Sequence, residues 1–162
     1  MIEVSGRADE LHRWAPVLDR PEIRVVRVVR PALVLGSTQP SSVINPSIAA
    51  ELGFEVTRRR SGGGVVELGP ASVWVDVTLP SSDPRYRHDI GRAAEWMGAL
   101  WVDALAGSGV SRSSLSVHSG VAVAAAEGRV VCFAGVGSGE VLLHGRKLVG
   151  ISQRRSRAGA WF

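Results

Sequence analysis

The chain has one cysteine, one lysine and one tyrosine among its 162 residues. The lone Cys132 excludes an internal disulfide framework and any zinc site built from several cysteines, leaving a buried thiol or a reactive one. No long apolar run occurs, and the segment from Met1 to Trp14 carries charges of both signs. Neither a secretory leader nor a membrane span is therefore expected, and the protein reads as soluble and cytoplasmic. Aromatic residues are few, at 6%, and sit mostly in apolar or helical settings. A nucleic-acid surface wants them interleaved with basic residues for stacking, so specific nucleic-acid binding is disfavoured.

What is present is enough apolar material, 45%, for a core that needs no covalent staples, and one domain over 1–162 is the expectation. The closing Ala160-Trp161-Phe162 fits either a domain incomplete at its C-terminus or an aromatic end tucked into the core. The net charge of +4 and the pI near 10.5 come almost wholly from arginine. Arginine with abundant Ala, Val and Gly is what a GC-rich coding sequence gives, and it also steers anionic partners.

Periodicity predicts mainly strands. The stretch from Ile23 to Gly36 is β-branched and broken at Arg30-Pro31, which reads as two strands or one interrupted strand. Asn45-Pro46 opens a short helix that Gly53 stops. Strands follow at Phe54 to Arg58 and Ser72 to Leu79, the latter with Val73, Val75 and Val77 on one face. Ile90, Ala93, Ala94, Met97, Leu100, Trp101 and Ala104 recur at helical spacing between Asp89 and Leu105. Gly120 to Ala126 and Arg129 to Phe133 read as a hairpin across Glu127-Gly128. Glu140 to Leu143 and Lys147 to Ser152 form another, turning at His144-Gly145-Arg146. Few helices and mostly hairpin links favour an α+β fold over a doubly wound one.

Two segments carry chemistry. In Arg58-Arg59-Arg60-Ser61-Gly62-Gly63-Gly64, three glycines let the backbone approach a ligand and expose amide donors, while arginines add planar donors for phosphate or carboxylate. It is neither a Walker loop nor a dinucleotide fingerprint, and the plain alternative is a flexible loop with solvated arginines. In Gly145-Arg146-Lys147-Leu148-Val149-Gly150, the only lysine opens a strand after a tight turn, where its amine can hold a phosphate or polarise a carbonyl. Gly150 would leave room for a ligand against that strand. The plain alternative is a surface lysine in a hairpin.

RRRSGGGVV followed downstream by GRKLVGISQRR resembles the paired signature of the lipoate-protein ligases and octanoyltransferases, similar in fold to the biotin-protein ligases. The resemblance runs from about Val25 to the chain's end. It implies an α+β domain with a mixed, mostly antiparallel sheet and a few packing helices. It also implies a reaction in which lipoate or octanoate is activated by ATP, with Mg2+, to acyl-AMP and then passed to a lysine of a lipoyl-carrier domain. The carriers implied are those of 2-oxoacid dehydrogenase complexes or the glycine-cleavage carrier protein. Lys147 would contact the acyl carbonyl and phosphate oxygen. Arg59, Ser61, Gly62, Gly63 and Gly64 would line the acyl and phosphate pocket, and Gly150 would lie beneath the ligand. On this reading, replacing Lys147 by alanine abolishes transfer and spares the fold.

The chain departs from the pattern at Leu68, where many relatives carry a histidine. An accessory domain like that of some ligases is not expected within this sequence, and in some organisms a second polypeptide supplies it. In the transferase branch, a cysteine placed like Cys132 in VVCFAG accepts the acyl group from a carrier protein as a thioester, without ATP. The plain reading of Cys132 is core filling, although strand alternation would turn it away from Val131 and Phe133. His118 and His144 sit in loops with no carboxylate in view and read as solvated. Asp76 could assist magnesium or point to solvent.

Overall fold

The N-terminal residues already form two elements that periodicity does not announce. Ile2–Gly6 is a strand, β1, and Ala8–Arg13 a short helix, α1. The break at Arg30-Pro31 gives two strands, β2 (Glu22–Val28) and β3 (Ala32–Leu35). Helix α2 (Pro46–Glu51) follows, its first amides held by the Asn45 side chain, which accepts from Ser47 and Ile48. Gly53, at φ +80°, supplies the left-handed turn that ends it. Next come β4 (Glu55–Arg58), β5 (Val66–Leu68), β6 (Trp74–Pro80) and the long helix α3 (Ile90–Gly107). The remainder is strands: β7 (Leu115–Val117), β8 (Val123–Ala124), β9 (Gly135–Val136), β10 (Val141–Leu143), β11 (Arg146–Val149), β12 (Arg154–Ser156) and β13 (Gly159–Trp161). This computed structural model describes residues 1–124 and 130–162.

The largest sheet runs in the order β1-β2-β6-β13-β12. Two small sheets, β4-β3-β5 and β11-β10-β7, and the pair β8-β9 complete the framework. Among the described strands, β1 with β2 and β3 with β4 pair in parallel and the other strand pairs are antiparallel. The fold is thus the mixed, mostly antiparallel α+β arrangement that the sequence implies.

The core begins where α1 lies against two sheets. Ala8 and Leu11, three residues apart and hence on one helix face, are buried with Val26, Val28, Ala32 and Val34, and Val4, Leu68 and Trp74 pack around them. A leucine buried this way contributes roughly 1.5–3 kcal/mol. Helix α3 starts on the Asp89 carboxylate, which accepts from Arg92 N at 2.8 Å. It buries Ala93, Ala94, Met97, Gly98 and Val102. Ile90 and Leu100, expected on the apolar face, are exposed at 64% and 42%. Gly98 must be glycine because the Gly139 carbonyl occupies the space a side chain would need: an added Cβ would lie 2.1 Å from its oxygen. The helix therefore rotates its small residues, rather than its largest ones, toward the β7 and β10 side.

One expected strand, Arg129 to Phe133, does not form over its described residues 130–133. Residues Cys132–Ala134 form a single 3-10 turn, and Val131 makes an isolated parallel bridge to Val65. β8 pairs with β9, Val123 opposite Val136, so the strand expected at Arg129 to Phe133 is displaced toward residue 136. The expected hairpin tip, Glu127-Gly128, lies outside the described residues. Alternation consequently does not govern Cys132.

Candidate functional site

A cleft of about 980 Å³ lies between the glycine segment, β6, α3, β11 and the turn at Cys132. That is at the upper end of the range for small-molecule sites, roughly 300–1,000 Å³. Its walls include Val34, Val75, Val77, Met97, Trp101, Leu105 and Phe162, giving it a largely apolar lining with charged groups set into it.

The glycine segment is rigidly built. Arg59 is buried and turns its guanidinium onto its own loop, donating to the carbonyls of Val34 (3.1 Å), Gly62 (2.8 Å) and Gly64 (2.8 Å). Burial lowers its pKa from the ordinary arginine value, and the neighbouring Cys132 opposes that shift. Arg58 clamps the preceding loop, donating to the carbonyls of Gly36 and Gln39, each at 2.7 Å. Arg59 is thus not a solvated side chain, and Arg58, although exposed, is tied to backbone carbonyls. The glycines serve different ends: Gly63 is at φ +98°, and a Cβ on Gly64 would lie 2.6 Å from Cys132 N, whereas Gly62 faces open space.

Lys147 is not a surface residue. Its side chain is 3% exposed, and its Nζ lies 2.7 Å from Glu140 Oε2, a carboxylate itself 7% exposed. The ammonium also donates to the carbonyls of Cys132 (2.9 Å) and Gly135 (3.2 Å), and lies 4.8 Å from the ring centre of Phe133. Cys132 Sγ is 3.8 Å from Nζ. The hairpin places this cation: His144 and Gly145, at φ 48° and 77°, make the two-residue turn that pairs Leu143 with Arg146 and Leu142 with Lys147. A Cβ on Gly150 would fall 3.3 Å from Lys147 Cε and 3.4 Å from Phe133. Its bare backbone therefore makes space for the lysine stem.

The cleft also reaches a cluster that sequence periodicity does not reveal. His12 of α1 stacks on Trp74, ring centres 4.5 Å apart. Burial first, and the nearby Arg59 second, push its pKa down to about 4, so its imidazole is neutral near pH 7. Trp74 Nε1 donates to Asp76 Oδ1 at 2.8 Å, and Arg24 NH1 is 3.8 Å from Asp76 Oδ2. Asp76 is buried and does not point to solvent. Burial raises its pKa, while the bond from Trp74 and the charge of Arg24 lower it.

Lys147, Cys132, Arg59, Ser61, Gly62, Gly63, Gly64 and Gly150 all line this one cleft. His118 and His144 do not: His118 Nε2 sits against the Val121 carbonyl at 3.1 Å, and His144 is exposed in its turn. Glu140 was legible in principle. The turn register sets Leu142 opposite Lys147, and the period of two puts Glu140 on the same face. No comparable signal points to His12, whose helix is too short for a clear period. Among the described residues, no three His, Cys, Asp or Glu side chains are grouped so as to hold a metal ion.

The cleft thus sets a buried Lys147–Glu140 ion pair and the arginine-bound glycine segment among apolar walls. The chain belongs to the lipoyl protein ligase A/B catalytic domain family, whose signature matches residues 7–162. No curated protein matches it. Its fold is similar to that of a T. acidophilum protein, solved with bound lipoic acid, with a TM-score of 0.72 and 18% identity over 99% of this chain and 62% of that one. It is also similar to lipoate-protein ligase A bound with ATP, with a TM-score of 0.70 and 19% identity, covering 99% and 62% of the two chains. A bi-partite lipoate protein ligase from Thermoplasma acidophilum, studied with its E2 lipoyl domain, matches at TM-score 0.63 and 17% identity, covering 99% and 57%. The present chain thus spans less than two thirds of the length of these structures.

Proposed function

We propose that the cleft activates a medium-chain acid, lipoate or octanoate, with ATP and delivers the acyl group to a lysine of a lipoyl-carrier domain. The observation that carries this reading is the buried Lys147 ammonium in an apolar cleft against Gly62–Gly64. The acid's carboxylate oxygen attacks the α-phosphorus of ATP, forming the acyl–phosphate bond while pyrophosphate departs. The amine of a carrier lysine then attacks the acyl carbonyl, losing a proton as AMP leaves and an amide forms. Lys147 stabilises negative charge on the phosphate and carbonyl oxygens in both steps, from a side chain that is itself buried. Nothing crowds the backbone at Gly62, which leaves room for a phosphate beside it, and the valine-lined wall takes the chain. Magnesium enters this reaction with ATP, as the Mg-ATP substrate. Carriers of 2-oxoacid dehydrogenase complexes or of glycine cleavage fit as acceptors, and a second polypeptide could complete the ligase. A cytoplasmic location suits ATP and such carriers, and no described helix is long and apolar enough to cross a membrane.

A second reading rests on Cys132 Sγ, 3.8 Å from Lys147 Nζ in the same cleft. Its thiolate would take the acyl group from a carrier thioester, releasing the carrier thiol, and then pass it to the acceptor lysine. Intact-mass analysis of a lipoyl domain separates the two. Modification by free acid with Mg-ATP supports the ligase, and modification only by an octanoyl-carrier donor without ATP supports the cysteine route. No modification under either condition overturns both.

A further inference from the structure

The Lys147 ammonium has three N–H donors, and three oxygens already surround it: Glu140 Oε2, the Cys132 carbonyl and the Gly135 carbonyl. A ligand oxygen can reach this cation only by replacing one of them. The three are not equally replaceable. Glu140 is anchored on every side. Its Oε2 also accepts from Gly137 N at 2.7 Å and its Oε1 from Ile151 N at 3.4 Å. Its backbone carbonyl accepts from His118 N, and the preceding Gly139 N donates to the His118 carbonyl. Gly139, at φ +85°, lies so close to α3 that an added Cβ would sit 2.3 Å from the Ala94 carbonyl carbon. Helix α3 thus fixes the turn, the turn fixes the carboxylate, and the carboxylate fixes the lysine. The two carbonyls belong to a short 3-10 turn and to a two-residue strand, and they are neutral, so each holds the ammonium less strongly than the carboxylate does.

We propose that Glu140 is the positioning residue for Lys147, keeping one donor while the contacts to the Cys132 and Gly135 carbonyls are given up to the ligand's oxygens. This rests on the acid-activating reading of the cleft. A charge-assisted contact that survives ligand binding holds the ammonium at one point, and misplacement by about 1 Å costs on the order of 100-fold in rate. Glu140 also balances the lysine's charge before an anion arrives. Removing that charge while keeping the shape should slow turnover without weakening acid binding.

The test exploits Lys147 being the only lysine, so modification of a lysine amine reports on that residue alone. Wild type, Glu140→Gln and Glu140→Asp are compared in two assays: pyrophosphate release with octanoate and Mg-ATP, and the rate of Lys147 methylation by formaldehyde with a borohydride reductant, read by peptide mass. Expected for Glu140→Gln are a kcat about 100-fold lower, a KM for octanoate no higher than wild type, and Lys147 methylated at least about tenfold faster once the pair is broken. Glu140→Asp, which retains the charge, recovers part of both effects. If Glu140→Gln keeps wild-type kcat, if its Lys147 is no more reactive, or if aspartate recovers nothing, the positioning role is overturned while the proposed function stands. A wild type that releases no pyrophosphate overturns the acid-activating reading, and the positioning role with it.

Discussion

Gly36 and Gly63 meet backbone to backbone: a Cβ on Gly36 would fall 2.0 Å from the Gly63 carbonyl oxygen. The loop after β3 and the glycine segment after β4 are thereby held together, with Ser37 N bonded to the Ser61 carbonyl at 2.9 Å beside them. Backbone cannot yield as a flexible side chain can. Gly36→Ala is expected to destabilise the fold by about 1–3 kcal/mol through overpacking and to weaken acid binding more than that loss explains. Urea unfolding and octanoate titration on the same preparation check this, and a variant with unchanged midpoint and affinity would sink it.

Breaking the Lys147–Glu140 pair does more than remove a ligand contact. Because both partners are buried, Lys147→Ala leaves an uncompensated carboxylate and should cost about 3–5 kcal/mol of stability. That amends the sequence-based expectation of an intact fold. Adding Glu140→Gln to Lys147→Ala removes the stranded charge and should recover most of the lost stability, though no activity. Equal melting temperatures for Lys147→Ala and wild type would contradict this account.

Arg59→Lys keeps the charge but loses the planar fork that spans the carbonyls of Val34, Gly62 and Gly64. A lysine cannot reproduce that geometry. With buried carbonyls left unpaired, a loss of roughly 1–3 kcal/mol is expected, with the glycine segment released. Faster amide hydrogen exchange at Gly62 to Gly64 in this variant is the measurement, and unchanged exchange would refute the clamp.

His12 should make stability depend on acid. Its pKa falls from the model-peptide value of 6.5 to about 4 on folding, so the unfolded chain binds the proton more readily. The stabilising preference for neutral imidazole is complete above about pH 6.5 and is lost as pH falls toward about 4, for a total of up to roughly 3 kcal/mol. His12→Phe, which can still stack on Trp74, should flatten the melting-temperature profile across that interval. A profile as steep as wild type's would place the dependence elsewhere.

How much of this could be read from the residues follows from the range of each signal. The Asn45-Pro46 cap, the break at Arg30-Pro31 and the His144-Gly145 turn are local, and each forms as its sequence indicates. The two motifs are visible because glycine triplets and a single lysine stand out. Their convergence on one cleft, by contrast, depends on contacts distant in the chain, the Val65–Val131 bridge beside the glycines and the Lys147 bond to the Cys132 carbonyl. β1 and α1 escape notice because their apolar positions alternate with charges, and burial is decided by β2 and β3. Cys132 misleads for the opposite reason: VVCFAG has strand composition, yet bridging to Val65 and the turn that follows override it.

The burial of Lys147 also determines what this chain lacks on its outside. Having no other lysine, its surface carries no side-chain amine. In the chemistry proposed above, an activated acyl group leaving the cleft finds no exposed acceptor lysine within these 162 residues. In that chemistry an exposed acceptor side-chain amine comes to the cleft from outside these 162 residues.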